Sequence, residues 1–146
     1  MEININCDLG EKSVHHSNKN DPDLLAIVNS ASVACGYHAG DDQTMSEVVQ
    51  ISKKHGVSIG AHPSFKDLEN FGRKRMNLSE SEIKKLIIEQ YEVLQKIAAG
   101  HGEKVTHIKP HGSTKQYGLW RFRTIKNLDK NIYDIDKDLI YLVLTG

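Results

Sequence analysis

Short apolar runs and longer stretches of helical period alternate along this chain. Residues 2–8 alternate polar and apolar around Ile3 and Ile5, the two-residue period of a strand. Further short runs at 32–35, 57–61, 104–109 and 139–144 read as four more strands. Between the first two, Pro22 suits the first turn of a helix capped by Asp21, with Leu24, Leu25, Ile27 and Val28 as its apolar face. A second helix starts near Asp41 or Asp42, gathers Met45, Val48 and Val49 on one side, and ends at His55-Gly56 with glycine at the C′ position. Ser79-Glu80-Ser81-Glu82 forms a capping box before the clearest helix. There Ile83, Leu86, Ile87, Tyr91, Leu94, Ile97 and Ala98 recur at three-four spacing, and Gly100 closes it.

Strand, loop and helix in repeated succession predict an α/β fold with parallel strands. A weak internal echo supports repeating units: Lys54-His55-Gly56-Val57 leading to His62-Pro63 resembles Gly100-His101-Gly102-Glu103 leading to Pro110-His111. A closed eight-fold barrel takes about 250 residues. The 146 residues here therefore predict one domain, 1–146, that is about the first half of a TIM-like barrel, or else a small open α/β sheet.

Charge changes the picture mainly by exclusion. Basic and acidic residues balance at 19 each, which argues against nucleic acid or an anionic membrane as partner. No apolar run approaches the roughly 18 residues of a membrane span, and the N-terminus carries no secretory pattern, so a cytoplasmic protein is expected. Cys7 and Cys35 fall at strand ends and are expected as reduced core thiols.

One stretch breaks the rhythm. Residues 113–132 should be the helix before the last strand, yet they show no clean amphipathic period. They carry the sole tryptophan, Trp120, with Lys115, Arg121, Arg123 and Lys126 and no acid before Asp129. A basic-aromatic patch is one reading. A compensated frameshift is the reading that fits better, since AT-rich codons shifted by one base can encode an ordinary amphipathic helix that returns to frame before Tyr133.

The candidate chemistry lies where the apolar runs stop. Cys7-Asp8-Leu9-Gly10-Glu11, Gly36-Tyr37-His38-Ala39-Gly40-Asp41, Gly60-Ala61-His62-Pro63 and Lys109-Pro110-His111-Gly112 each set ionisable residues beside Gly or Pro. In parallel βα units, Asp8, Glu11, His38, Asp41, His62, Lys109 and His111 converge on one face. Carboxylates and imidazoles together can act as general acid and base near neutral pH, or bind a divalent metal, for which Asp8, His38 and His62 are candidate ligands. Simpler roles compete: a strand-end histidine can be structural, Asp41-Asp42 can be a helix N-cap, and Gly36, Gly40, Gly60 and Gly112 can serve tight turns. His15, His16, His55 and His101 are expected to be solvated or to sit at helix C-termini. In the 62–78 loop, Arg73, Lys74 and Arg75 beside Gly72 form a candidate clamp for a carboxylate or phosphate.

Five blocks together carry a resemblance. Asn6-Cys7-Asp8-Leu9-Gly10-Glu11, Ser30 through Asp41, Gly60-Ala61-His62-Pro63, Phe71-Gly72-Arg73 and His107-Ile108-Lys109-Pro110-His111-Gly112 resemble the LamB/YcsF family from residue 2 to 112, with a resumption at 133–146. The resemblance implies a seven-stranded, TIM-like (β/α) barrel of the glycoside hydrolase and deacetylase type. It implies a hydrolase acting on a cyclic amide C–N bond: ATP-dependent opening of 5-oxo-L-proline to L-glutamate, with Mg2+ accompanying ATP and two partner subunits completing the enzyme.

On that reading Asp8, His38, His62, Lys109 and His111 are the catalytic candidates, and Glu11, Asp41 and Arg73 are the substrate-binding ones. Asp8 or His38 would serve as general base, and Lys109 and His111 would stabilise an anionic oxygen or phosphate. The chain has no Gly-x-x-x-x-Gly-Lys-Ser/Thr loop, so ATP would bind another surface or another subunit. Two departures stand out: family members run to roughly 250 residues, the size of a full barrel, and the block after Lys109-Pro110-His111-Gly112 differs. The alternatives are a metal-dependent hydrolase or deacetylase of the same barrel superfamily, and a truncated, non-catalytic chain that self-associates through an exposed barrel edge.

Overall fold

The computed structural model describes residues 3–14, 16–112, 133 and 135–142. The stretch 113–132, where helical period is lost, lies outside them, as does His15. Eight elements follow in order: β1 (Asn6–Leu9), α1 (Asp21–Leu25), β2 (Ser30–Ala34), α2 (Asp42–His55), β3 (Ser58–His62), α3 (Glu80–Gly100), β4 (Val105–Ile108) and β5 (Ile140–Tyr141).

All five strands are parallel, and their order across the sheet is their order in the chain. A doubly wound sheet must reverse direction at a switch point. Here each new strand is added to the same side, as in a singly wound barrel. The partial barrel expectation holds.

The helices form one layer, α1 against α2 and α2 against α3, and pack their apolar stripes on the sheet. Met45, Val48 and Val49 of α2 are buried, as are Ile83, Ile87, Tyr91, Leu94 and Ala98 of α3. They meet Val33, Ile59, Ala61, Val105 and Ile108 from the strands. Each fully buried aliphatic side chain contributes about 1.5–3 kcal/mol, so this layer is what makes the strand ends a rigid platform.

Caps set the helix starts. Asp41 accepts from the Thr44 amide at 2.7 Å, and Gly56 ends α2 in the left-handed conformation at φ 68°. Ser79 and Glu82 make the expected reciprocal box on α3. At α1 the N-cap is Asn20, not the expected Asp21, and its side chain makes no capping bond. The Asp21 carboxylate instead accepts from the Gly10 amide at 2.7 Å, tying the end of β1 to α1. Ile27 is 69% exposed, because α1 stops at Leu25 before its apolar face is complete.

A smaller correction concerns Gly60. Gly60 lies inside β3 and not in a turn, opposite His107 of β4. A Cβ there would lie 2.1 Å from the His107 ring. His101 sits at the C-cap of α3, the helix-end alternative expected for it, and bonds Ser46 of α2 through Nε2 at 2.8 Å. Cys7 and Cys35 are free thiols, as expected, and burial pushes Cys35 up to about 12.

Candidate active site

Asp8 stands in β1 with Leu9 buried behind it. The chain then turns through Gly10 at φ 70°, which delivers Glu11 over the strand ends. Gly40 fixes that turn: its amide donates to the Lys12 carbonyl at 2.8 Å. A Cβ at Gly40 would sit 2.6 Å from the Gly10 carbonyl oxygen, so only glycine permits the approach. After β2, the tight turn from Gly36 to Ala39 carries His38 inward, fully buried. His62 closes β3. Beyond the ends of β3 and β4 the chains stay paired, Lys109 N–H to the Ala61 carbonyl and His111 N–H to the Pro63 carbonyl, both at 2.9 Å. Lys109 and His111 are thereby placed beside His62.

The result is a buried cluster. Glu11 Oε1 lies 3.1 Å from His38 Nε2, 3.8 Å from His62 Nε2 and 3.7 Å from His111 Nδ1. His111 Nδ1 lies 3.2 Å from His62 Nε2. One ligating atom from each of these four side chains falls within 4.8 Å of all the others. At its edge Asp8 pairs with Lys109 at 2.5 Å, and the other Asp8 oxygen lies 3.6 Å from His62 Nε2.

Two of the buried rings are also held from behind. His62 Nδ1 donates to the Lys109 carbonyl. His38 Nδ1 lies 2.7 Å from the Ser64 hydroxyl, whose own hydrogen goes to the Phe65 carbonyl at 3.0 Å. The hydroxyl therefore accepts from His38. Gln90, buried in α3, clamps Ser64 by two bonds of 3.0 Å, one to its amide and one from the Gln90 side-chain amide to its carbonyl.

Phe71 forms a roof. Its ring centroid lies 5.2 Å from that of His38 and 5.3 Å from that of His111. It is the one non-glycine residue at positive φ (56°) among the described residues, a conformation L side chains rarely adopt. The Asp67 carboxylate holds that loop by accepting from the Asn70 and Lys74 amides. Gly72 packs so closely under it that a Cβ would lie 2.8 Å from His38 Cβ.

Burial and mutual repulsion dominate the electrostatics. Burial pushes His111 down to about 3, helped by His38 and His62 and opposed by Glu11. Burial also lowers His62, against the pull of Asp8. Desolvation works to raise Glu11, but the hydrogen bond from His38 and the neighbouring imidazoles outweigh it and hold the carboxylate below its usual range.

Six of the eight sequence-derived candidates thus come together: Asp8, Glu11, His38, His62, Lys109 and His111. The metal-donor set differs from the expected Asp8, His38 and His62, because Glu11 and His111 join the two histidines while Asp8 pairs with Lys109. Asp41 engages its carboxylate with Thr44 at the start of α2, through both the amide and the hydroxyl. Arg73 lies on the rim, its guanidinium 5.4 Å from the Phe71 ring centroid. Ser64, Gln90 and the covering role of Phe71 were not legible in sequence; the single cue was Phe71 standing before Gly72.

Comparison with known proteins gives the family. The LamB/YcsF family model matches residues 3–146, across the 113–132 stretch where the block resemblance breaks. The chain is 41% identical over 147 residues to the 5-oxoprolinase A subunit from Staphylococcus aureus (strain Newman), and 38% identical over 146 residues to that of Staphylococcus carnosus (strain TM300). Both matches cover 100% of this chain and 58% of the relative. The crystal structure of a lactam utilization protein from Thermus thermophilus superposes with a TM-score of 0.90 at 33% identity, covering 100% of this chain and 59% of that one. The chain spans somewhat over half the length of the curated relatives it matches, and it belongs to the LamB/YcsF family.

Proposed function

We propose that this chain works as one of three subunits of an ATP-dependent 5-oxoprolinase, in the place its staphylococcal relatives hold, opening 5-oxo-L-proline to L-glutamate together with two partner subunits. The observation that carries the reading is the convergence of Asp8, Glu11, His38, His62, Lys109 and His111 at the C-terminal ends of β1 to β4, where parallel barrels place their chemistry.

A five-membered lactam is a resonance-stabilised amide without ring strain to help its opening. Phosphoryl transfer from ATP to the lactam oxygen makes the carbon electrophilic and releases ADP. Water then adds at that carbon, the C–N bond breaks as nitrogen takes a proton, and a second water hydrolyses the resulting acyl phosphate to glutamate and phosphate. Asp8, with 35% of its side chain exposed, can reach a water, whereas His38 is buried with both ring nitrogens engaged. Asp8 is therefore the better general base of the two. Lys109, 26% exposed and paired to Asp8, would stabilise an oxyanion or phosphate forming beside it. Arg73 on the rim can hold the substrate carboxylate, and ATP with Mg2+ would bind outside this cluster.

The test mixes the chain with the two partner subunits of the staphylococcal enzyme, 5-oxo-L-proline, ATP and Mg2+. Glutamate and ADP should form in equal amounts, and Lys109→Ala should lower kcat by about 10²-fold or more, of the order seen on losing an oxyanion donor. Glutamate without ADP, or no glutamate at all, would overturn the reading.

A further inference from the structure

We propose that Glu11, His38, His62 and His111 bind one zinc-class divalent cation, distinct from any Mg2+ that accompanies ATP. Such a site would exist whether or not the chain opens a lactam.

Spacing is the first observation. A tetrahedral zinc at about 2.0–2.1 Å from its N and O ligands sets those ligands about 3.3 Å apart. Glu11 Oε1 is 3.1, 3.7 and 3.8 Å from His38 Nε2, His111 Nδ1 and His62 Nε2, and His111 Nδ1 is 3.2 Å from His62 Nε2. The remaining donor pairs lie within 4.8 Å, so His38 would have to move toward His62 and His111 for all four to reach one ion.

Ring orientation is the second. The Lys109 carbonyl can only accept, so His62 Nδ1 bears the hydrogen and a neutral ring turns its Nε2 lone pair to the centre. His38 is fixed the same way by Ser64, whose hydroxyl hydrogen is committed to the Phe65 carbonyl. A histidine that donates its outer N–H to a fixed oxygen while offering the inner nitrogen is oriented as metal ligands are. Gln90, 1% exposed, adds a further layer by clamping Ser64. Within the cluster His38 Nε2 is hydrogen-bonded to Glu11 and His111 Nδ1 to His62 Nε2, contacts that a cation would replace under the apolar roof of Phe71.

Ligand type decides the class of ion. Three imidazoles and one carboxylate suit zinc and its first-row neighbours, whereas Mg2+ prefers an octahedron of oxygens and keeps its waters.

Cobalt provides the test, since tetrahedral Co2+ absorbs visibly and strongly. The full chain, stripped with chelator and titrated with Co2+, should develop that absorption at one ion per chain. Zn2+ should displace it and Mg2+ should not. His62→Gln and His111→Gln should each abolish the signal, and Ser64→Ala, which leaves all four ligands in place, should weaken binding about tenfold. Zn2+ should also raise the melting temperature of the wild-type chain, a readout that requires no variant to fold. Absence of the tetrahedral absorption from the wild-type chain, its survival in both histidine variants, or equal competition by Mg2+ would overturn the proposal.

Discussion

At the scale of single residues, the pair Gly60 and His107 shows how a backbone position can be fixed by a side chain on the neighbouring strand. The His107 ring occupies the space a Gly60 Cβ would need. Gly60→Ala should therefore cost about 1–3 kcal/mol in urea unfolding, the range for overpacking. A double-mutant cycle with His107→Ala should recover part of that loss, with a coupling of at least about 0.5 kcal/mol; additivity would mean the clash is relieved elsewhere. His107 Nε2 is buried without a hydrogen-bond partner among the described residues. Burial, helped by Lys109, lowers its pKa from 6.5 to about 4. Because the folded value is depressed, the unfolded chain binds the proton first. Stability is fully present above about pH 6.5 and falls as pH drops toward 4, by up to about 3 kcal/mol from this group. Unfolding of His107→Leu across that range should show a shallower acid loss than wild type.

At the scale of elements, the caps carry a separate prediction. The Thr44 hydroxyl and amide hold Asp41 below the usual carboxylate range, so its contribution is present above the unfolded value of 3.8 and lost as pH falls below it. Asp41→Ala should destabilise the protein by about 1 kcal/mol, while Asp41→Asn, which can still cap α2, should change stability by only a few tenths. The same pair separates capping from substrate binding. A rise in KM for Asp41→Asn at unchanged stability would assign the carboxylate to substrate. The α3 capping box has no such second role, and Ser79→Ala should lower stability by about 1 kcal/mol without touching activity.

At the scale of the whole molecule, the sheet has two edge strands, β1 and β5, among the described residues. Among the described residues β1 pairs only with β2, and β5 only with β4. Ile3 and Ile5, leading into β1, are 76% and 49% exposed, and Ile140 in β5 is 59% exposed. Unpaired strand edges flanked by exposed apolar side chains favour edge-to-edge pairing. Sedimentation velocity should show mass above 16.4 kDa growing with concentration. Ile3→Lys with Ile5→Lys should suppress it, since charge on an edge opposes pairing. A monomer at every concentration would discard self-association.

Much was determined by local sequence. The α/β alternation, the apolar faces of α2 and α3, the capping box at Ser79 and the left-handed stop at Gly56 all follow from periods and caps acting within a few residues. That Asp8, Glu11, His38, His62, Lys109 and His111 share one end of the sheet follows from their places just after apolar runs, given parallel strands. What each one touches does not follow, because contacts among β1, β2, β3 and β4 bring together residues up to 101 positions apart. Only the tertiary structure set Asp8 against Lys109, drew Glu11 among three imidazoles, sent Asp21 to Gly10 instead of a cap, and made Gly60 the seat of His107. Periodicity sets which face a side chain takes, while packing and hydrogen bonding across strands decide which atoms meet there.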